Sequence, residues 1–243
     1  MRQVFPEATD VDPIDAYGRL PRAGARPGVR LNMIASVDGA ASLAGRSGAL
    51  GGPADQELFA TLRGLADVIL VGAATMRVEG YGPTRLDAAA RDRRRQSRLA
   101  PVPPVAVVTR ACRLEWGSAF FTEAEQRPIV LTTSAAAPAD RAAAAMVADV
   151  IVAGDDGVDL ARALAELGGR GHDNVLAEGG PGIAGQLAGA GLLDEVCLTL
   201  SPMLVAGSAG RILGGAALDL PSALQLAHVL TAESYLFLRY RRP

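Results

Sequence analysis

The chain has 243 residues, 24 basic against 26 acidic side chains and a formal net charge of −2. All basic residues are arginine, which excludes mechanisms that need a lysine, such as Schiff-base formation or a P-loop phosphate site. Apolar residues make up 49% of the chain, as in a globular protein, and the nearly balanced charge argues against a dedicated nucleic-acid-binding domain.

Two cysteines and two histidines, all far apart, are too few for a disulfide framework or a multi-histidine metal site. The first residues lack the apolar stretch of a signal peptide, and no apolar run approaches the ~20 residues of a membrane helix. We therefore expect a cytoplasmic protein with no metal and no membrane partner.

The first 27 residues contain four prolines and little periodicity, and predict an extended N-terminal arm before a single domain over residues 28–243. A strand is predicted over 29–36, followed by a Gly-rich loop and an amphipathic helix that opens at Pro53. The continuous apolar run over 67–72 is typical of a strand buried on both faces.

Strands and helices then alternate. Strands are predicted over 105–109, 129–132, 150–152 and 174–177, and helices over 139–147, 158–167 and 183–190. The tail differs, because 195–200, 224–231 and 235–241 all read as strands with only loops between them. This order predicts an α/β core with a β-rich C-terminal portion. The arginine-rich stretch 91–98 is interpreted as a solvated loop or helix face.

The strongest local motif is GxGxxG at residues 180–185, which follows a strand and opens a helix. Glycines let the backbone approach a pyrophosphate, and a helix N-terminus favours its charge. A Gly-rich turn without any ligand is the alternative. The motif lies late in the chain, unlike the fingerprint of an ordinary dinucleotide-binding fold.

Two other strand ends carry polar residues. Gly72 is followed by Thr75 and Arg77, and the strand over 105–109 ends at Thr109-Arg110. Ligands of open α/β sheets bind at the carboxyl ends of strands, so three such ends together predict a nucleotide site. The two arginines favour a phosphorylated ribose, and hence NADPH over NADH.

Three acids are candidates for chemistry. Asp55, in the first helical turn, either complements the helix dipole or contacts a substrate. Asp38 belongs to an Asp-Gly turn. Glu178 precedes the glycine turn, where its carboxylate would repel a pyrophosphate, so we expect it to face a second ligand. With no histidine near these motifs and no nucleophile elbow, the pattern predicts hydride transfer.

Five ordered motifs resemble the pyrimidine reductase family, the C-terminal reductase domain of the bifunctional deaminase/reductase of riboflavin biosynthesis. They read LNMIASVDG (31–39), DVILVGAATMRVEG (67–80), VAVVTR (105–110), LAEGGPGIAG (176–185) and DEVCLTLSPMLVAG (194–207). The resemblance implies a dihydrofolate-reductase-like fold, a mostly parallel central sheet flanked by helices with an antiparallel C-terminal portion. It also implies an activity like that of 5-amino-6-(5-phosphoribosylamino)uracil reductase, in which NADPH reduces a ribosylamino to a ribitylamino group, and a homodimer.

The resemblance implies site residues position by position. Asp55 and Glu178 would be the catalytic side chains. The implied cofactor-binding residues are Ile34, Ala35, Ala49, Gly72, Thr75, Arg77, Glu79, Thr109, Arg110, Gly179, Gly180, Pro181, Gly182, Ile183, Ala184, Gly185 and Gln186. The implied substrate-binding residues are Asn32, Ser47, Asp55, Arg63, Pro83, Arg85 and Glu178.

The chain also departs from the family pattern. The HxE and PCxxC zinc ligands of the deaminase are absent, so only the reduction is expected. Asn32 stands where the family has a lysine, and the loop that usually reads GESxWIT is GRSGALGG here. Both changes touch the expected substrate pocket.

A second resemblance is to dihydrofolate reductase itself. Pro53-Ala54-Asp55, followed by Phe59 and VILVGAAT, is similar to the segment in which that enzyme holds its pterin ring with a carboxylate. This raises Asp55 to an expected ring anchor. Reduction of a pterin or folate, or NADPH binding without catalysis, remain alternatives to the pyrimidine reductase activity.

Overall fold

The computed structural model describes residues 1–243. Its strands are β1 (Arg2–Phe5), β2 (Thr9–Asp10), β3 (Gly28–Ser36), β4 (Val68–Gly72), β5 (Val105–Val108), β6 (Ile129–Thr132), β7 (Asp149–Val152), β8 (Asn174–Ala177), β9 (Glu195–Ser201), β10 (Gln225–Ala232) and β11 (Tyr235–Arg241). Its α-helices are α1 (Pro13–Tyr17), α2 (Pro53–Leu65), α3 (Ala73–Glu79), α4 (Ala88–Gln96), α5 (Ala119–Thr122), α6 (Pro138–Val147), α7 (Leu160–Gly169) and α8 (Pro181–Gly189).

All strands join one sheet, in the order β2-β1-β10-β11-β9-β3-β8-β4-β5-β6-β7. The pairs from β9 through β3 to β7 are parallel. Those from β9 through β11 and β10 to β2 are antiparallel. The predicted fold class, a mostly parallel sheet with an antiparallel C-terminal portion, is confirmed.

Helices cover both faces of the parallel half. The strands β4, β5, β6 and β8 are buried along their whole length, which explains their continuous apolar sequences. On one face α2 buries Leu58 and Leu62 in a core that also includes side chains of α3, α5 and α6. On the other face α7 and α8 pack into a second core. The carboxyl ends of β3, β4 and β8 therefore lie between α2 and α3 on one face of the sheet and α7 and α8 on the other.

The first 27 residues differ from the expected extended arm, because they contain β1, β2 and α1 and are fastened to the sheet. Strand β1 pairs with β10. Two buried arginines reach the end of α1: Arg30 donates to the carbonyl oxygens of Tyr17 and Gly18, and Arg239 to that of Ala16. Both arginines also pair with the buried Glu195, at 2.5 and 2.6 Å.

The predicted strands agree with the structure to within one residue at each end. Helix α8 begins at Pro181, two residues before the prediction, because proline suits the first helical position. The arginine-rich stretch 91–98 falls largely in the helix α4, and most of its arginines are exposed, but Arg94 is buried, so the expectation of a solvated face does not hold for that residue. No helix combines the length and the apolar character that crossing a membrane would require.

Candidate active site

A cavity of about 620 Å³ lies at the carboxyl ends of β3 and β8, bordered by α2, α3 and the loop after β3. It brings together residues that are far apart in the sequence. The predicted site residues in its lining are Asn32, Ile34, Ser47, Asp55, Arg63, Thr75, Glu79, Pro83, Glu178, Gly180 and Pro181. Residues of both the expected substrate set and the expected cofactor set therefore share one cavity.

Asp55 projects from the first turn of α2 into this cavity. The N-cap residue of the helix is Gly52, and no side chain makes a capping hydrogen bond, so the Asp55 carboxylate does not cap the helix. Burial raises the pKa of Asp55, and the nearby Thr199 hydroxyl lowers it by a smaller amount. Gly51 leaves room for the carboxylate, because a Cβ at that position would lie 2.7 Å from Oδ2. The result is a half-buried carboxylate whose hydrogen-bonding capacity faces the cavity.

Glu178 and Arg63 form a bidentate ion pair. Arg63 donates from Nε to Oε1 and from Nη2 to Oε2, both at 2.7 Å, and the Tyr81 hydroxyl donates to Oε2 at 2.8 Å. Burial alone would lower the pKa of Arg63, but the Glu178 carboxylate raises it above its ordinary value. Arg63 thus stays charged, in a pair that burial strengthens.

Asn32 lies on β3 opposite Cys197 of β9, and its side chain borders the cavity. Its Oδ1 atom is buried without a hydrogen-bond partner. Burial raises the pKa of the Cys197 thiol, so that neighbour is a neutral thiol. The position at which the resemblance implied a lysine is therefore occupied by a neutral side chain in this chain.

Glu79, at the end of α3, holds the loop after β3. Its Oε1 accepts hydrogen bonds from the Ser47 backbone N–H at 2.8 Å and from the Ser47 hydroxyl at 2.9 Å. Both residues line the cavity. These bonds fix the loop that carries the GRSGALGG sequence against α3.

The glycine turn between β8 and α8 packs against the start of α3. The N–H of Gly72 donates to the carbonyl oxygen of Gly179 at 2.8 Å. A Cβ on Gly180 would lie 2.1 Å from Thr75 Oγ1, and one on Gly72 would lie 3.0 Å from Ile183. Because β4 and β8 are neighbours, two helix N-termini stand side by side at one wall of the cavity, which suits an anionic group.

Several predicted residues lie outside the cavity wall. Arg85 is 81% exposed, with Glu123 3.8 Å away. Thr109 is buried at the end of β5, Ala35 is buried in β3 and Ala184 in α8. Gly185 packs against the backbone, since a Cβ there would lie 1.9 Å from the Gly214 carbonyl oxygen. The others that do not line the cavity are Ala49, Gly72, Arg77, Arg110, Gly179, Gly182, Ile183 and Gln186.

Sequence reasoning did not single out Tyr81, although its hydroxyl completes the Arg63–Glu178 pair. Phe59 was singled out as part of the segment similar to dihydrofolate reductase and not as a partner of Arg63, yet the Arg63 guanidinium lies 4.1 Å from the centre of its ring. Neither Tyr81, after the end of α3, nor Phe59, within α2, carries a spacing signal for such contacts.

Residues 27–237 match the model of the RibD C-terminal domain family. Two curated relatives are named 2,5-diamino-6-ribosylamino-4(3H)-pyrimidinone 5′-phosphate reductase. The protein from Methanothermobacter thermautotrophicus is 32% identical over 77% of this chain and 83% of its own length. That from Archaeoglobus fulgidus is 28% identical over 75% and 83%.

The fold has close neighbours among solved structures. A pyrimidine reductase-like protein from Corynebacterium diphtheriae superposes with a TM-score of 0.83, at 28% identity, over 94% of this chain and 97% of that one. RibD from Acinetobacter baumannii, at 19% identity, shares the fold with a TM-score of 0.72 over 91% of this chain and 59% of that one. The expected family is thereby confirmed, and this chain belongs to the RibD C-terminal domain family.

Proposed function

We propose that this protein is an NADPH-dependent reductase that converts the ribosylamino group of a phosphorylated pyrimidine of riboflavin biosynthesis into a ribitylamino group. The observation that carries the proposal is the position of Asp55, a half-buried carboxylate that shares one cavity with the glycine turn and the start of α3. The names of the relatives support the reaction class.

The carboxylate favours one form of the pyrimidine ring. Its two oxygens are acceptors, and a 2-amino-4-pyrimidinone presents two adjacent donors, the amino group and the neighbouring ring N–H. A uracil ring carries a carbonyl oxygen in place of that amino group. This oxygen and the carboxylate oxygen that faces it are both acceptors, so they would repel each other and form no hydrogen bond. We therefore infer that the substrate is 2,5-diamino-6-ribosylamino-4(3H)-pyrimidinone 5′-phosphate, rather than the deaminated uracil that the resemblance to the bifunctional enzyme implied.

The glycine turn fits a dinucleotide. Gly180 and Thr75 pack so closely that any side chain at residue 180 would close the turn, and the N-terminal N–H groups of α3 and α8 would hold the pyrophosphate. The exposed Arg77 and Arg110 are the cations nearest in sequence to these strand ends and would meet the ribose phosphate. When bound, NADPH supplies the hydride.

The protein's own residues orient the substrate. Asp55 would hold the ring, and the polar wall formed by Arg63 and Glu178 would take the other end of the molecule. Opening the ribose also requires a proton on its ring oxygen. No histidine lines the cavity, and the chain has no lysine, so we assign that proton to water.

The homodimer and the cytoplasmic location stay predictions. For the homodimer we propose the face of β10 and β11 that carries Leu226 and Leu236, which are 37% and 40% exposed. Apolar side chains on an uncovered sheet face are suited to an interface between copies. Sedimentation of the purified protein measures whether it forms a dimer.

Asp55→Asn tests the ring contact. Replacing one charged acceptor with an amide donor breaks two charge-assisted hydrogen bonds, so kcat/KM for the diaminopyrimidinone should fall by about 10²-fold or more. The control is Glu57→Gln, an exposed acid on the same helix, which should leave kcat/KM unchanged. NADPH oxidation is followed at saturating cofactor.

The same assay separates the alternatives. Wild-type protein is compared on the diaminopyrimidinone phosphate, on the corresponding uracil and on dihydrofolate. Faster turnover of dihydrofolate would establish the folate reductase alternative, and faster turnover of the uracil would reject the ring argument. Tight NADPH binding without oxidation by any of the three would establish the cofactor-binding protein without catalysis.

A further inference from the structure

Tyr81 lies two residues after the end of α3 and lines the cavity, yet neither motif nor resemblance assigns it a role. Its hydroxyl donates to Glu178 Oε2 at 2.8 Å, and the centre of its ring lies 5.5 Å from the Arg63 guanidinium. Phe59 flanks the same guanidinium at 4.1 Å. Two aromatic rings and one carboxylate therefore fix a single arginine.

Glu178 is fully engaged by these contacts. Its side chain is 2% exposed, and its two oxygens accept three hydrogen bonds from Arg63 and Tyr81. Arg63 uses Nε and Nη2 in the pair, while Nη1 makes no hydrogen bond to the protein. The group left free for a ligand is thus an N–H edge of Arg63 and not the Glu178 carboxylate.

We propose that Tyr81 is a positioning residue that, together with Glu178, holds Arg63 so that its Nη1 edge binds the phosphate of the substrate. This inference rests on the proposed function, because it takes the substrate to be a phosphorylated pyrimidine. It reassigns Glu178 from a substrate contact to a partner of Arg63.

Charge supports the phosphate as the ligand of Arg63. Arg63 is the one cationic side chain in the cavity lining, which also carries Asp55, Glu79 and Glu178. Near Asp55 and Glu79 a phosphate dianion would be repelled, so Arg63 is the side chain of the lining that can pair with it. The Tyr81 hydroxyl draws negative charge from Glu178 Oε2, so more of the positive charge of Arg63 remains for a ligand.

Distance supports the same assignment. Asp55 and Arg63 are eight residues apart on α2, which separates them by about 12 Å along the helix axis. A pyrimidine ring with a pentose and a terminal phosphate is of comparable length. With its ring at Asp55, the substrate would place its phosphate beside Arg63.

Tyr81 acts as a donor throughout the physiological range. Burial and the negative charge of Glu178 raise the pKa of Tyr81 far above that of a free phenol. Its hydroxyl therefore keeps its proton, and its effect should not depend on pH between 6 and 9.

Tyr81→Phe removes the hydroxyl and keeps the ring. We expect KM for the phosphorylated pyrimidine to rise by about three- to tenfold, with kcat nearly unchanged, because binding and not the hydride step is affected. KM for the same pyrimidine without its 5′-phosphate should not change. The matched control is Tyr240→Phe, a half-buried tyrosine of β11 outside the cavity lining.

Equal rises in KM for both substrates, or no rise for either, would overturn the proposal. Failure of the wild-type protein to reduce the pyrimidine would instead refute the proposed function. The positioning role is then decided by calorimetric titration with ribose 5-phosphate. Its affinity must fall in Arg63→Ala and in Tyr81→Phe but not in Tyr240→Phe, and equal affinities in all variants would overturn it.

Discussion

His228 shows how a single buried residue can give the fold a pH dependence. It lies in β10, 5% exposed, with its ring packed edge-on against Tyr17 at 4.7 Å between centres. Its Nε2 atom has no hydrogen-bond partner. Burial, reinforced by the charge of Arg239, lowers the pKa of His228 from 6.5 to about 4. His228 does not line the cavity, so its role is a structural one.

His228→Phe should reduce the acid sensitivity of the protein. Between pH 6.5 and 4 the unfolded state binds a proton that the folded state excludes, so the free energy of unfolding falls on acidification, by up to about 1.4 kcal/mol per pH unit from this group. Phenylalanine keeps the ring contact and removes that contribution. Urea unfolding at several pH values in this range measures the slope.

The comparison must be with wild type, because carboxylates that pair in the folded state also titrate in acid. Glu195 is one of them: burial would raise its pKa, but Arg30 and Arg239 lower it below its ordinary value. The difference in slope between variant and wild type isolates the histidine. An unchanged slope would show that His228 keeps its proton in the folded state.

At the scale of elements, helix α2 matters most, because it carries Asp55, Phe59 and Arg63. The carbonyl groups at its C-terminal end accept hydrogen bonds from three side chains. Arg94 donates from Nη1 to Gly64 and Ala66, Arg19 donates to Leu65, and Asn174 also donates to Leu65. Cations at a helix C-terminus also complement its dipole. The arginine-rich stretch therefore includes a structural residue that holds the site helix.

Arg94→Ala should lower the free energy of unfolding by about 3 kcal/mol. The change leaves the carbonyl groups of Gly64, Ala66 and Ala100 without the hydrogen bonds of a buried charged donor. Burial lowers the pKa of Arg94 to about 10, so the donor is still charged at neutral pH. Denaturant unfolding measures the loss.

The control for this variant is Arg93→Ala, an exposed neighbour on α4. We expect it to change the free energy of unfolding by less than about 0.5 kcal/mol. Similar losses in the two variants would show that helix propensity or net charge, and not the contact with α2, accounts for the effect.

At the scale of the whole molecule, residues 202–224 join the antiparallel and parallel halves without forming a helix or strand. The carboxylate of Asp38 accepts hydrogen bonds from the backbone N–H groups of Val205 and Ala206. These bonds and the one from Ser36 lower the pKa of Asp38 to about 2. Further on, Gly214 donates to the Pro181 carbonyl oxygen at the start of α8. This segment thus crosses the molecule beside the cavity.

Gly185→Ala should displace that segment from α8. The new Cβ would stand 1.9 Å from the Gly214 carbonyl oxygen. Because both atoms belong to the backbone or are attached directly to it, the backbone must move to relieve this contact. Such overpacking typically costs about 1–3 kcal/mol. Trypsin should then cleave after the exposed Arg211 several-fold faster than in wild type, as gel analysis of a time course would show.

Gly189→Ala, on the same helix, is the control, since a Cβ there meets only the end of Leu218 at 3.8 Å. Trypsin should cleave this variant at the wild-type rate. Unaltered cleavage in Gly185→Ala would mean that α8 shifts and the segment stays in place. The third glycine of the GxGxxG motif serves packing of this segment, which the motif by itself did not indicate.

The sequence by itself determined the strands from β3 to β11, the helices α2, α6, α7 and α8, the family, and the ends of β4 and β8 that border the site, but not the elements of the first 27 residues. Continuous apolar runs such as VILVG and VAVV can be satisfied only by strands buried on both faces, and proline and glycine mark the helix starts. Asp55 and Glu178 were identified because they stand beside such signals. These are local properties, which neighbouring residues specify.

Only the tertiary structure decided which charges meet. Glu178 pairs with Arg63 across 115 positions of the chain, Arg94 reaches carbonyl groups of a helix 28 to 30 positions away, and Gly185 touches Gly214. Periodicity states which face of an element is buried but not which partner lies opposite. The pairing follows from sheet order and from the direction of each side chain, and these exist only once the whole chain has packed.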